Sequence, residues 1–365
     1  MRIPWIDCCK GLAMLMVVLG HCGENEYFFK GLYYIHLPLF ILLSGFLLDN
    51  SKYYDDRCSL WKVIKKKSGE LLYPYLVFGA MTILLQYFRM ALTGVNFDCG
   101  GVKGLVFNIC YFENYANWFL PVLFGSEILC IMLFKLLNNY NRNKEIFIVF
   151  ILLIFAYISN SISPILPHLY RRSFTFFFLF KFGQIFTFSF FLIIGHLIKV
   201  FIMKNEAKLK ASRKLLVPIM LGSSIISLFT ASNLPMVDLH VLRWESTKIY
   251  LLVACWGSIS FFFLFYLLDI SNRLLSYIGR NSLIINGTHL NLLIVPGAAQ
   301  ILFFSWPHLA SAYNLGPLLL TISVFLIEII LIIPIIRNVY PVLCDYKILP
   351  NTVKSFRSIF YEQNS

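Results

Sequence analysis

Long apolar stretches separated by short polar segments dominate the chain, and each is close to the length that crosses a bilayer. A helix needs about 20 apolar residues to span the hydrocarbon core. The pattern predicts ten such spans, at residues 3–23, 31–49, 71–92, 115–137, 146–163, 174–199, 215–231, 247–269, 279–298 and 315–336. The predicted fold class is therefore all-α, a polytopic integral membrane helix bundle of about ten transmembrane helices.

Two segments depart from simple spans. Lys181, Gly183 and Gln184 interrupt the sixth span, which predicts two pieces or a broken helix. Residues 51–70 are basic, with a few apolar side chains such as Trp61 that can enter the lipid interface. Such a composition is typical of a helix lying on the membrane surface.

The first apolar stretch contains three ionisable residues, Asp7, Lys10 and His21. At about 100° per residue, all three lie on one stripe of a helix, with Lys10 and His21 about 16 Å apart along the axis. Ionisable groups within a membrane helix usually line a protein interior and indicate a functional site. A cleavable signal peptide is the alternative, but the charges interrupt its apolar region, so we expect the helix to be retained.

Composition and charge agree with a membrane protein. Hydrophobic residues make up 59% of the 365 residues and charged residues 13%, against about 25% charged in soluble domains. The net charge of +13 reflects Lys and Arg at the predicted membrane edges, which argues against a nucleic-acid partner. With the N-terminus inside, 22 of the 31 basic residues fall in inner segments and 6 in outer ones. This bias predicts that both termini are cytoplasmic, with a transmembrane domain over 1–340 and a short tail over 341–365.

The second span contributes a second histidine and a pair of small residues. His36 is predicted at the depth of His21, so the two imidazoles are expected to be neighbours; a structural hydrogen bond is the alternative role for His36. Ser44 and Gly45 are small enough to line a substrate path or simply to permit close helix packing.

Other spans carry further polar groups. Lys65, Lys66 and Lys67 at the inner edge suit a phosphate, although binding of lipid headgroups is the alternative. Trp118 is expected at the outer interface, and Glu127 lies within the same span. The ninth span holds several hydrogen-bonding residues, which indicate a cavity lining: Asn281, Ser282, Asn286, Thr288, His289 and Asn291. The transmembrane histidine and carboxylate groups would instead suit proton relay in a transporter.

Nine cysteines show no metal-binding spacing, and no metal site is predicted. Cys99 and Cys110 fall in one predicted outer loop and form a disulfide only if the exterior is oxidising. Sequence does not establish whether they pair.

Four segments, in order, resemble one family. WIDCCKGLAMLMVVLGH resembles its opening helix, with a basic residue, ten others and then a histidine, here Lys10 and His21, preceded by an acidic residue, here Asp7. IHLPLFILLSGFLL resembles the second-helix Ser-Gly-Phe segment, NWFLPVLF the Trp-Phe-Leu block, and SYIGRNSLIINGTHL a late segment ending at His289. Together they resemble the membrane-bound acyltransferase family 3, including its fucose O-acetylase-like branch and surface-polysaccharide O-acetyltransferases.

The resemblance implies a function and the substrates. Such proteins transfer acyl groups, usually acetyl, from cytoplasmic acyl-CoA to sugar hydroxyls of surface glycans, and hold no permanent cofactor. The implied partners are acyl-CoA, a glycan or lipid-linked saccharide acceptor and membrane lipids, in the plasma (bacterial inner) membrane. The oligomeric state stays open. A transporter or glycan-handling membrane protein without acyl transfer is the alternative function.

The resemblance also implies roles for residues. His21 would act as general base or accept the acyl group, Asp7 would hold Lys10, and Lys10 would contact the donor. The donor and acceptor would contact His36, Ser44, Lys66, Lys67, Trp118, Glu127, Asn286 and His289. The family often has paired arginines before the Pro-Tyr of its third helix, whereas this chain has Lys66, Lys67 and Glu70, so Glu70 weakens the expected phosphate site.

Overall fold

The structure, a computed structural model, describes residues 3–23, 27–48, 59–93, 101–113, 115–136, 144–162, 174–306, 315–339 and 343. Its α-helices are α1 (Pro4–Cys22), α2 (Tyr27–Leu47), α3 (Leu60–Lys67), α4 (Tyr73–Thr93), α5 (Gly101–Cys110), α6 (Phe119–Leu136), α7 (Lys144–Ile162), α8 (Phe174–Ala211), α9 (Arg213–Ser232), α10 (Thr247–Leu268), α11 (Arg273–Arg280), α12 (Ser282–Thr288), α13 (Ile294–Ser305) and α14 (Leu315–Ile327). Wider π-helical turns occupy Ser68–Leu72, Glu328–Ile332 and Ile335–Val339, and a 3-10 helix occupies Tyr115–Trp118.

The predicted all-α polytopic fold is confirmed. Eight helical stretches in the described residues are long and apolar enough to cross a membrane. They are Pro4–Cys22, Phe29–Leu47, Leu60–Leu92, Phe119–Leu136, Phe177–Ala211, Arg213–Ser232, Thr247–Leu268 and Leu315–Asn338. Their number and composition make this a multi-pass membrane protein.

The sixth predicted span is a single helix, so the expected break at Lys181 is wrong. Helix α8 runs without interruption through Gly183 and Gln184. The Gln184 amide nitrogen donates to the carbonyl of His240 at 2.7 Å, so this donor is bonded without opening the helix. The only non-helical residue inside α8 is Asn205, where the helix bends.

The ninth predicted span is not one helix, which corrects the expectation of a continuous segment over 279–298. Helix α11 ends before Asn281, whose side-chain amide donates to the Tyr277 carbonyl at 2.7 Å and competes with the helical ladder. Between α12 and α13 the chain turns, and Leu293 takes a left-handed conformation with φ 57°. The fifth span forms α7, whose apolar stretch covers Phe147–Ile158.

The basic segment before the third span is continuous with it. Helix α3 passes through the π turn Ser68–Leu72 directly into α4, so residues 60–70 belong to one helical stretch with the third span. Its position on the membrane surface stays a prediction. Residues 51–58 of this segment lie outside the described residues, as does Cys99. The proposed Cys99–Cys110 disulfide therefore stays a prediction, and so does the tail over 341–365, of which only Leu343 is described.

The chain divides into two compact units, each described by itself. The first unit comprises residues 1–59, 125–282 and 308–321. In it α1 packs on α2 and α11, and α2 packs on α8, α9 and α10. One end of these helices surrounds Trp5, whose ring lies edge-on to those of Phe46 and Phe262 at 5.7 and 5.2 Å between centroids.

The second unit comprises residues 60–124, 283–307 and 322–365. In it α4 packs on α5 and on the 3-10 helix Tyr115–Trp118. The fully buried Tyr75 on α4 donates its hydroxyl to the Ile109 carbonyl at 2.8 Å. This bond fixes α5 against α4.

Candidate active site

The three ionisable residues of α1 lie in the first unit. Helix α1 is continuous between them, and Asp7, Lys10 and His21 are each half-buried among mostly buried neighbours. Their backbone is held tightly, because a Cβ atom at Gly11 would overlap the Leu275 carbonyl and one at Gly279 would overlap the Asp7 carbonyl. The polar end of α1 therefore has a fixed position against α11.

At the other end of α1, the ring of Tyr33 lies between two histidines. The ring centroids of His21 and Tyr33 are 6.1 Å apart at 89°, and those of Tyr33 and His36 are 5.2 Å apart at 74°. Gly20 faces the Tyr33 ring so closely that an added Cβ would lie 3.2 Å from it. Tyr33 thus connects the imidazoles that the sequence placed at one depth.

The tautomer of His36 follows from its hydrogen bond. Its Nδ1 lies 2.6 Å from the carbonyl oxygen of Leu32, in a fully buried site. Because a carbonyl oxygen only accepts, Nδ1 carries a proton, and when the ring is neutral Nε2 holds the lone pair. His36 has a structural hydrogen bond and retains one basic nitrogen.

The small residues of α2 are used in two different ways. A Cβ at Gly45 would overlap the Leu192 carbonyl of α8, so Gly45 permits close packing of α2 on α8. The hydroxyl of the half-buried Ser44 donates to the Phe40 carbonyl at 3.0 Å. The structure thus favours packing for Gly45, while Ser44 satisfies its hydroxyl within its own helix.

Other intramembrane polar groups of the first unit are buried, and two of them lie beside aromatic rings. Glu127 on α6 is 5% exposed. The Lys181 ammonium lies 5.2 Å from the centroid of the Phe180 ring, and the His196 ring packs edge-on to Phe134 at 5.0 Å. For Lys181 and His196 these are cation–π and ring–ring contacts, which stabilise packing.

In the second unit, Glu70 reaches both lysines predicted to bind phosphate. Its carboxylate oxygens lie 3.9 Å from the Lys66 ammonium and 3.5 Å from that of Lys67. Glu70 follows Lys66 by four residues and Lys67 by three, and these spacings put the three side chains on one side of the helix. Glu70 therefore offsets part of the positive charge at this edge.

Trp118 and Asn286 also belong to the second unit. Trp118 is only 7% exposed, so its ring packs inside the protein and does not face lipid. Its expected position at the outer interface stays a prediction. Its neighbour Asn117 is fully buried, and the Asn286 amide donates to the Asn117 side-chain oxygen at 3.4 Å. This bond joins the 3-10 helix before α6 to α12.

A buried carboxyl group of the second unit lies beside α12. The Thr288 hydroxyl is 2.7 Å from the Glu328 carboxyl and also 2.7 Å from the Ile284 carbonyl, and both side chains are fully buried. Glu328 begins a π-helical turn, a distortion common at functional sites. The adjacent His289 places Nδ1 2.7 Å from the Ile285 carbonyl, which leaves Nε2 as its basic nitrogen.

Comparison with known proteins decides the family. The family described as an acyltransferase domain, acyltransferase family 3, matches residues 3–337. The chain belongs to this family. Because the match covers nearly the whole chain, both units are parts of a membrane acyltransferase.

Two named relatives are distant. The chain is 26% identical over 178 residues to the nodulation protein NolL of Mesorhizobium japonicum, covering 45% of this chain and 44% of that protein. It is 26% identical over 177 residues to NolL of Sinorhizobium fredii, covering 45% of each. The chain thus matches less than half the length of these curated relatives. No solved structure matches it.

The residues that resembled family motifs divide between the units of this acyltransferase. Asp7, Lys10, His21, His36, Ser44 and Glu127 lie in the first unit, and Lys66, Lys67, Trp118, Asn286 and His289 in the second. Among the described residues, no group of three or more His, Cys, Asp or Glu side chains is arranged to hold a metal ion.

Sequence reasoning did not single out two contacts. Tyr33 precedes His36 by three residues, a spacing that puts both on one helix face, so the sequence indicated that these two side chains are neighbours. Thr288 and Glu328 are 40 residues apart and come together only through the tertiary fold. No helical spacing in the sequence predicts that these two residues are in contact.

Proposed function

We propose that this acyltransferase moves an acyl group, most simply acetyl, from cytoplasmic acyl-CoA to a hydroxyl group of a cell-surface or exported glycan. The family supports acyl transfer in a membrane. The observation that carries the residue assignment is the half-buried His21, with its ring against Tyr33 and, through Tyr33, His36. The plasma membrane of a bacterium is the proposed location.

In the proposed reaction, the His21 imidazole removes the proton of the acceptor hydroxyl. The oxygen then attacks the thioester carbonyl, the C–S bond breaks, and the departing CoA sulfur takes the proton back from His21. The products are an O-acyl sugar and free CoA. Transfer through an acyl-imidazole on His21 would give the same products in two steps.

The remaining polar groups have supporting roles in this proposal. Lys10, near the opposite end of α1, contacts polar atoms of the donor, and Asp7 holds Lys10 in position. Lys66 and Lys67 bind the phosphates of CoA, because ammonium groups at a membrane edge attract phosphate. Ser44, Trp118, Glu127, Asn286 and His289 line the paths of donor and acceptor.

Labelled acetyl-CoA tests the proposal. Purified protein in liposomes, given radiolabelled acetyl-CoA and surface polysaccharide, is expected to release CoA and label the polysaccharide. His21→Ala should abolish labelling, whereas His240→Ala, in the connection between α9 and α10, should retain it. A fully active His21→Ala variant would contradict the role of His21.

The same experiment addresses the alternative function. Uptake of label into the vesicles without acylation of any acceptor would favour a transporter that uses these residues for binding. Such an outcome would overturn acyl transfer as the activity of this chain.

A further inference from the structure

A lateral cleft in the first unit lies apart from the histidines of α1 and α2. It has a volume of about 470 Å³ and lies between the end of α8, α9 and α10. Most of its lining is aliphatic or aromatic: Leu209, Leu216, Met220, Ile259, Phe263 and Leu267. Nearby apolar side chains on α9 and α10 are exposed, with Ile219 at 49% and Leu252 at 72%, as expected where helices face lipid.

The polar groups in the cleft wall bond to one another. The Trp256 indole donates to the Ser223 hydroxyl at 2.8 Å, and the hydroxyls of Ser223 and Ser260 are 2.8 Å apart. Ser260 in turn donates to the Trp256 carbonyl at 2.8 Å. Each donor of this set is used, so a hydrocarbon chain lying against it leaves no polar group newly unsatisfied.

One end of the cleft is strongly basic. Lys208, Lys210, Arg213 and Lys214 are exposed where α8 ends and α9 begins. Glu206 pairs with Lys210 at 2.6 Å. The Arg213 guanidinium donates to the Leu268 carbonyl at 2.8 Å, so the ends of α9 and α10 lie together at this rim.

The cleft follows α9 away from this basic rim. Ser223 lies about 15 Å along α9 from Arg213, so the cleft runs from a cationic end toward the membrane interior.

We propose that this cleft binds one anionic phospholipid of the surrounding bilayer. Its phosphate contacts Lys208 and Lys214 at the rim, and one acyl chain lies along Met220 and Ile259 toward Trp256. The charge bias of the chain predicts this end on the cytoplasmic side, where anionic headgroups attract basic residues. The inference does not depend on the acyltransfer reaction.

Native mass spectrometry of the delipidated full-length protein tests the site. Palmitoyl-oleoyl phosphatidylglycerol is expected to bind at one site roughly tenfold more tightly than phosphatidylcholine with the same chains. Met220→Trp, which fills the cleft, and the double variant K208Q/K214Q should each weaken phosphatidylglycerol binding roughly tenfold. The control K103Q/K248Q removes the same charge from exposed positions on α5 and at the start of α10 and should bind as wild type.

Thermal unfolding in detergent shows whether Met220→Trp has lost lipid binding or has misfolded. The variant K208Q/K214Q changes only exposed side chains, so we expect it to fold as wild type. Equal binding of the two lipids would overturn the proposal. Unchanged phosphatidylglycerol binding in K208Q/K214Q would also overturn it, even if Met220→Trp lost binding, because the headgroup would then not be recognised.

Discussion

The His36 imidazole meets the Tyr33 ring edge-on, with 5.2 Å between the ring centroids. Tyr33 makes a similar contact with His21 on its other side. Since the His36 ring is itself held by the Leu32 carbonyl, Tyr33 transmits a fixed orientation to His21. The position of the proposed base therefore depends on the Tyr33 ring, which lies between the two histidines.

Removing that ring should impair catalysis more than folding. Tyr33→Leu is expected to lower kcat roughly tenfold to a hundredfold, because small displacements of a catalytic group are costly. Tyr33→Phe keeps the ring and should stay within a few-fold of wild type. Rates from labelled acetyl-CoA, with KM for both substrates, check this. Equal losses in Phe and Leu variants would show that the hydroxyl, not the ring, matters.

The close approach of α2 and α8 predicts a large stability effect from one methyl group. Gly45→Ala should cost about 1–3 kcal/mol, because its Cβ would overlap the Leu192 carbonyl. Gly222→Ala is the matched control, since nothing lies within 4 Å of an added Cβ there. Thermal unfolding in one detergent compares them. A Gly45→Ala protein as stable as Gly222→Ala would refute this packing.

Charge at the edge of α3 should control donor binding. Glu70→Gln removes the partner of Lys66 and Lys67 and should lower KM for acyl-CoA about threefold at low salt. The difference should shrink at high ionic strength because salt screens exposed charges. Glu206→Gln removes a comparable partner from Lys210 in the first unit and should leave this KM unchanged. A KM unaffected by Glu70→Gln would argue against phosphate binding there.

The hydrogen bonds of Thr288 indicate whether the Glu328 carboxyl is neutral or charged. The Thr288 hydroxyl has one proton but two acceptors at 2.7 Å, and a protonated Glu328 that donates to Thr288 satisfies both contacts. Glu328→Gln should then keep stability near wild type, because an amide N–H replaces the acid O–H. Glu328→Ala should cost about 1–3 kcal/mol. Gln and Ala variants that are equally unstable in thermal unfolding would show that a charged carboxylate is required.

Sequence predicted the parts of this fold that depend on local composition. Hydropathy identified most of the spans, and helical phase placed Asp7, Lys10 and His21 on one helix that the structure confirms as continuous. Their chemical roles are still predictions. The break at Leu293 was missed, since the segment is apolar enough to span and its left-handed residue carries no compositional signal.

Tertiary context explains the other differences. Gln184 was expected to interrupt the helix, but its side chain donates to the His240 carbonyl of another segment, and α8 continues through it. Trp118 is buried, which the sequence did not indicate, because position in sequence does not distinguish a lipid-facing side of a helix end from a buried one. The Thr288–Glu328 contact joins separate segments of the chain, which single-sequence patterns do not reveal.

The contact between α1 and α11 has a consequence for biogenesis. The Cys8 thiol lies 3.4 Å from the carbonyl of Asn272, a residue 264 positions later in the chain. At roughly 5–20 residues per second, the ribosome takes about 15–50 s to make that interval. During this time, α1 has left the ribosome without the helix that covers its polar end. Membrane insertion factors that shield a partly polar first helix should therefore determine how much of this protein matures.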